Sequence, residues 1–135
     1  MRILASAVCD HAAASPDGKL DVQGIFHDLY AAGFPARQAR MTLVMVLEWD
    51  RTDSGRYTFR VDVRGPDGNT TLTLEGQSEV TPRPSDRPPP RTRLVMPLEE
   101  VVFPEPGRYD FRVTAKGRRL GGPVLYLVRM EAGRV

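Results

Sequence analysis

Short runs of β-branched and aromatic residues, alternating with polar residues and separated by Gly, Pro, Asp and Asn, recur along the whole chain. A period of two predicts β-strands, and regular interruption by turn residues is typical of a sandwich or barrel. A length of 135 residues is enough for one domain with its own core. We therefore expect a single all-β domain over residues 1–135, an antiparallel β-sandwich of about eight strands.

Two Pro-Asp-Gly turns predict two of the hairpins. Residues 16–18 separate a strand over 2–13 from one over 20–29, and residues 66–68 separate strands over 57–63 and 70–80. Proline suits the start of such a turn and glycine tolerates a positive φ. Further strands are expected over 41–49, 93–98, 108–115 and 122–130. The stretch 30–40 is predicted to be a loop, and the Pro-rich stretch 81–91, with Arg83, Arg87 and Arg91, a semi-rigid crossing loop.

The segment from Pro106 to Val113 resembles the entry to the next-to-last strand of immunoglobulin-like and fibronectin-like domains. In such domains a tyrosine at the position of Tyr109 bonds back to the chain at the corner. The resemblance implies an immunoglobulin-like antiparallel β-sandwich, with Tyr109 as its corner tyrosine and Trp49 in the buried-tryptophan role. Phe111 stands where that family has its second cysteine, so the family's disulfide is absent.

Four further segments, at 7–11, 17–20, 33–36 and 48–50, resemble a family of small uncharacterised bacterial proteins, a domain of unknown function. They read Ala-Val-Cys-Asp-His, Asp-Gly-Lys-Leu, Gly-Phe-Pro-Ala and Glu-Trp-Asp. The resemblance extends over nearly the whole chain and implies a fold, because it brings no catalytic motif with it. A strong preference for arginine over lysine also favours a bacterial source.

The strand over 41–49 is apolar on both sides, with Val44 and Val46 on the side opposite Met45. In an immunoglobulin-like sandwich this strand and the last one share a sheet. Their outward sides would then present Val44 and Val46 beside Leu125 and Leu127, or beside the alternate residues of the last strand (Val124, Tyr126 and Val128). An exposed apolar patch usually marks an interface. We predict a homodimer through this face, unless the 30–40 loop covers it.

Catalytic and metal-binding signals are weak. Cys9 and His11 share one side of a strand, and Cys9 with His27 would make a conceivable nucleophile pair, but neither pair has the spacing of a known site. We therefore expect no catalytic residues, no metal and no cofactor, and a non-catalytic interaction module. The alternative is a domain that binds a small molecule or carbohydrate with His27, Tyr30 and Phe34.

Charge and cysteine usage bear on partners and location. The chain has 19 basic and 17 acidic residues, interleaved along its length, for a net charge of +2. This balance predicts no nucleic-acid partner. No apolar run approaches the ~20 residues of a membrane helix, so no membrane partner is expected either. One cysteine allows no intramolecular disulfide, and the apolar stretch before Asp10 is shorter than a signal-peptide core, which together favour the cytoplasm. An unidentified protein partner is a further expectation.

Overall fold

The computed structural model describes residues 1–131, and over that range the chain forms strands and no helix. The strands are β1 (Arg2–Ala14), β2 (Leu20–Ile25), β3 (Asp28–Ala31), β4 (Ala36–Glu48), β5 (Gly55–Arg64), β6 (Thr70–Val80), β7 (Arg91–Phe103), β8 (Gly107–Ala115) and β9 (Arg118–Arg129). The prediction of an all-β chain is confirmed. No helix in the described part of the chain has the length and apolarity to span a bilayer.

The strands form two sheets around a common core. Sheet A has the order β2-β1-β4-β7, and sheet B has the order β3-β9-β8-β5-β6 and curls into a half-barrel. The strand pairs are antiparallel except for β3 and β9, which run parallel. Alternate residues of β4 (Met41, Leu43, Met45, Leu47) meet alternate residues of β5 and β8 (Phe59, Val61, Val63, Tyr109, Phe111, Val113) in the core. The period of two in the sequence therefore marks the inner side of both sheets.

Both predicted Pro-Asp-Gly hairpins are present. The turns join β1 to β2 and β5 to β6, and each glycine has the positive φ that such a turn requires, 83° at Gly18 and 83° at Gly68. The prediction for 20–40 is wrong in two respects. The expected strand over 20–29 is divided at Phe26 and His27 into β2 and β3, which lie in different sheets. The expected loop over 30–40 contains the end of β3 and the start of β4.

The prediction that β4 shares a sheet with the last strand is wrong. β4 pairs with β1 and β7 in sheet A, whereas β9 pairs with β8 and β3 in sheet B. Leu125 is fully buried and Leu127 is 3% exposed, because both face the core from sheet B. These two residues therefore cannot share an outer surface with Val44 and Val46.

The corner between β7 and β8 is held by a buried tyrosine. The Tyr109 hydroxyl donates to the Glu105 carbonyl oxygen at 2.7 Å and accepts from the Glu105 backbone N–H at 3.1 Å. Its ring meets Phe103 edge to face, with the centroids 5.0 Å apart. On the other side of the core, Trp49 stacks on Tyr57 and donates its indole N–H to Thr92 Oγ1 at 2.8 Å.

Candidate functional site

The outer side of sheet A is apolar where its three long strands meet. Ala7 on β1, Val44 on β4 and Val95 on β7 are cross-strand partners in one row. Because side chains alternate along a strand, all three point away from the Leu43 side that forms the main core. The double apolarity of β4 therefore gives sheet A a second apolar surface.

The β1–β2 hairpin covers part of this surface. Pairing of β1 with β4 ends at Cys9, while pairing with β2 continues to the end of β1 at Ala14. The turn of the hairpin reaches Arg93 on the far edge of the sheet, since a Cβ placed on Gly18 would lie 3.7 Å from Arg93 Cζ. The hairpin therefore crosses over β4 and reaches β7.

A small satellite core lies under the hairpin. Cys9, Ala12 and Val44 form a buried cluster, with the partly buried side chains of Val22 and Val95 packed against it. Val44 is only 4% exposed, so the expectation that it contributes to a partner surface is wrong. If any element covered this side of β4, the sequence predicted that it would be the 30–40 loop. The hairpin, which precedes that segment in the chain, supplies cover instead.

Beside the hairpin the apolar surface stays open as a concavity of about 450 Å³, which we call the sheet A groove. Val46 is half-buried in it. Two large apolar side chains stand at its sides, Leu4 at 39% and Ile25 at 54% exposed. Its lining comprises Leu4, Ala5, Ser6, Ala7, Leu20, Val22, Ile25, Val44, Met45, Val46, Arg91 and Arg93. The groove is thus mostly aliphatic, with two guanidinium groups from β7.

One of these guanidinium groups is already engaged. Glu48 accepts from Arg2 Nε at 2.9 Å and from Arg91 Nε at 3.1 Å. The hydrogen bond from Arg2, followed by that from Arg91, lowers the pKa of Glu48 despite the opposing effect of desolvation. Glu48 is therefore ionised at neutral pH, and it compensates Arg91. Arg93 forms no ion pair with another described residue, so it is the groove's cationic group.

The chemistry of Cys9 is limited by its burial. The thiol is fully buried and its Sγ lies 3.5 Å from the Thr42 carbonyl oxygen. Burial raises the pKa of Cys9, and the charge of Asp10 raises it further. A protonated, enclosed thiol is a poor nucleophile and a poor metal ligand. Within residues 1–131 no three His, Cys, Asp or Glu side chains come together as a metal site.

The predicted ligand-loop residues lie along the β3 edge of sheet B. His27 is exposed, and its carbonyl accepts from the Tyr126 backbone N–H at 2.9 Å. Tyr30 is 64% exposed on β3. Phe34 packs against the main core, and the guanidinium carbon of Arg129 lies 5.2 Å from its ring centroid. Tyr30 is therefore available to a ligand, whereas the ring of Phe34 already contacts the core and Arg129.

The Pro-rich stretch is attached to the β4–β5 turn. Arg51 donates from Nη1 to the carbonyl oxygens of Pro84, at 2.9 Å, and Arg87. The Arg51 carbonyl in turn accepts from the Arg83 backbone N–H at 3.0 Å. Prolines have no backbone N–H to donate, so this loop has few donors of its own. Arg51 supplies the donors that two of its carbonyl oxygens need. Residues 81–90 contain no strand, as a connecting loop requires.

Sequence reasoning missed Leu4, Ile25 and Arg93 as surface residues of the site. Leu20 and Val22 alternate with polar residues, which marks one side of the hairpin as apolar. The pattern does not say which surface that side meets, because the direction in which a hairpin folds over is a tertiary property.

The chain belongs to a family of unknown function, DUF6941, whose sequence profile matches residues 4–127. No protein of curated function matches the chain. Among solved structures it is similar to Pseudomonas fluorescens alkylpurine DNA glycosylase AlkC bound to DNA containing an abasic site analog, with 12% identity and a TM-score of 0.47. That match covers 91% of this chain and 30% of the glycosylase, so this chain spans less than a third of that protein's length.

This comparison corrects the expectation of no nucleic-acid partner. The similar structure is bound to DNA, which conflicts with that expectation. A likeness with a TM-score of 0.47 gives no argument that this chain binds DNA.

Proposed function

We propose that the protein is a non-catalytic assembly module that forms a homodimer through the sheet A groove. The observation that carries the proposal is the occurrence of a concave apolar groove and protruding apolar side chains on one face of one sheet. A two-fold symmetric contact requires a surface that complements itself. Ile25 or Leu4 of one copy can enter the groove of the other, and the same contact is then made a second time.

Burial of the exposed apolar side chains would contribute to a contact with a second copy. Ile25 is 54% exposed, and covering the exposed half of an aliphatic side chain contributes about 1 kcal/mol. In a two-fold contact each copy buries the same residues, so this contribution is made twice. Burial of Leu4 and of the open part of the groove adds to it. Arg93 at the rim is suited to the polar border that surrounds the apolar centre of an interface.

The test is the solution mass of the native protein across the micromolar range, measured by light scattering after size exclusion. We expect a dimer, and we expect Ile25→Glu to give a monomer with an unchanged far-UV spectrum, because the charge would be buried in the contact. Val102→Glu is the matched control, since Val102 is 43% exposed on the same sheet but does not line the groove. A native monomer, or a dimer that Ile25→Glu leaves intact, would refute the proposal.

Small-molecule or carbohydrate binding is the second candidate function, and exposed tyrosines support it. Tyr30 on β3 and Tyr126 on β9 are 64% and 43% exposed on adjacent strands, with Val128, at 36%, beside them. Flat exposed rings of this kind provide apolar surface with a polar hydroxyl, which suits a ligand of mixed character. A native monomer in the mass measurement would make this surface the first place to search for a ligand.

We also infer that the two sheets form an immunoglobulin-like sandwich. The row β9-β8-β5-β6 in one sheet, with β4-β7 in the other, has the strand adjacency of the variable-type fold. The bond from Tyr109 to Glu105, four residues upstream, supports the same assignment. The β1–β2 hairpin is then an addition to that framework.

For location we infer the cytoplasm of a bacterium. Cys9 is the only cysteine and is enclosed in the satellite core, an arrangement compatible with a reducing compartment. The preference for arginine supports the bacterial source.

A further inference from the structure

The outer face of sheet B carries a cluster of arginines that is independent of the sheet A groove. Arg60 and Arg64 on β5, Arg112 on β8 and Arg119 on β9 line one concavity of about 330 Å³, which we call the arginine cluster. Cross-strand pairing brings them together, because Arg60 pairs with Thr114 and Thr114 pairs with Arg119. Arg112 lies opposite Asp62, two residues along β5 from Arg60 and from Arg64.

The positive charge of this cluster is only partly compensated. Asp62 is the acidic residue that lines it, and Asp62 Oδ1 accepts from Arg60 Nε at 3.0 Å and from Thr73 Oγ1 at 2.8 Å. These bonds, with that of Thr73 first, lower the pKa of Asp62 and keep it ionised. Within the described part of the chain Arg64, Arg112 and Arg119 have no ion-pair partner.

One donor of the cluster is both buried and unpaired. The Nε–H of Arg64 has no access to solvent and no hydrogen-bond acceptor within residues 1–131. An unsatisfied buried donor is destabilising, and more so when the group is charged. Because Arg64 also lines the concavity, an oxyanion there would lie beside this guanidinium and offer it an acceptor. Val61 and Val113, on the reverse side of the same strands, are fully buried, so the scaffold behind the cluster is firmly packed.

The surroundings limit the size of the anion. At one end of the cluster Arg56 is paired with Glu79 at 2.9 Å, and at the other Arg108 is paired with Asp110 at 2.9 Å. The concavity itself holds four arginines and one aspartate, a net charge of +3. A polyanion is held by a longer track of basic groups, each meeting its own phosphate. A compact anion with at least two charges fits this charge and this volume better.

We propose that the arginine cluster binds a small phosphorylated anion, with Arg112 and Arg119 as its accessible ligands and Arg64 completing the site from below. Guanidinium groups match the geometry of phosphate oxygens and donate two parallel hydrogen bonds. Thr70 and Thr114 line the same concavity and supply neutral hydroxyl donors. The shared chemistry is a phosphoryl group of charge near −2, present in free phosphate, in pyrophosphate and in a phosphate monoester.

Calorimetric titration with inorganic phosphate, pyrophosphate and glycerol 3-phosphate, each at low ionic strength, tests the proposal and distinguishes these sources. We expect saturable binding of at least one of them at submillimolar concentration. Arg112→Gln and Arg119→Gln should each weaken it by at least about tenfold, the loss expected for one charge-assisted bond. Arg56→Gln is the control on the same face, because Arg56 is already paired with Glu79. Its affinity should equal that of the native protein.

Three results would overturn the proposal. The first is no binding of any of the three anions at millimolar concentration. The second is equal weakening by Arg56→Gln and Arg112→Gln, which would indicate a general charge effect. The third is binding of a single-stranded oligonucleotide, lost in Arg112→Gln, without binding of the small anions, which would assign the cluster to nucleic acid. Circular dichroism of each variant confirms that the fold is retained.

Discussion

Replacing Tyr109 by phenylalanine tests how much the β7–β8 corner contributes to stability. The change removes one hydroxyl, which donates to the Glu105 carbonyl at 2.7 Å and accepts from the Glu105 N–H at 3.1 Å, and leaves the buried ring in place. A net intramolecular hydrogen bond is worth about 1 kcal/mol, and an unpaired buried group costs more. Glu105 is only partly buried, so water can replace part of the loss. We expect a decrease of about 1.5 kcal/mol in the free energy of unfolding.

Urea unfolding followed by the fluorescence of Trp49 measures this change. Trp49 is suited as a probe because it is 2% exposed and bonded to Thr92. For a domain of this size about 1.5 kcal/mol corresponds to a decrease of roughly 6 °C in Tm. Tyr30→Phe removes the same atom from a residue that is 64% exposed and is the matched control, with no change expected. Equal midpoints for the two variants would refute the assignment of Tyr109 as the residue that holds the corner.

Two further predictions concern the satellite core and acid stability. Cys9 should react with a thiol reagent at least about 100-fold more slowly in the native protein than in denaturant, because the hairpin must open first; rapid labelling of the native protein would show that the hairpin does not stay packed. Hydrogen bonds from Lys116 and the terminal amine lower the pKa of Asp50 to about 2. The contribution of ionised Asp50 to the free energy of unfolding is therefore complete above pH ~4 and is lost as the pH falls through ~2. Asp50→Asn should therefore flatten the decrease of the urea midpoint between about pH 4 and 2, and an unchanged slope would contradict this coupling.

The sequence predicted the strands well where alternation and turn chemistry agree. β6 (Thr70–Val80) has the predicted bounds, and the Pro-Asp-Gly turns at Gly18 and Gly68 form the predicted hairpins. The division of 20–29 was missed because β2 and β3 follow each other with only Phe26 and His27 between them. Gly24, whose φ is 68°, lies next to the point where the chain leaves sheet A for sheet B, but a single glycine in a strand indicates a bulge or bend as readily as a strand end.

The error about the sheet of β4 has one cause. If β1 and β2 are counted as the first two strands of an immunoglobulin-like sandwich, β4 becomes the third. In that fold the third strand shares a sheet with the last one. Pairing places β4 between β1 and β7 instead. The double apolarity of β4 was recognised from Val44 and Val46, but its main cause is the hairpin, since Val44 packs against Cys9 and Ala12. Apolar residues on the outer side of a strand indicate that another surface meets that side of the sheet. They do not indicate which element provides that surface.

The two outer faces of the molecule have different chemistry, and this difference makes the two proposals compatible. The groove with Ile25 belongs to sheet A, whereas Arg112 and Arg119 project from sheet B, on the other side of the main core. A two-fold contact through sheet A would leave both arginine clusters exposed on opposite sides of the dimer. Each copy would then bind its anion without help from the other. Ile25→Glu should accordingly change the mass and leave anion affinity unchanged, while Arg112→Gln should do the reverse, so that either proposal can fail without the other.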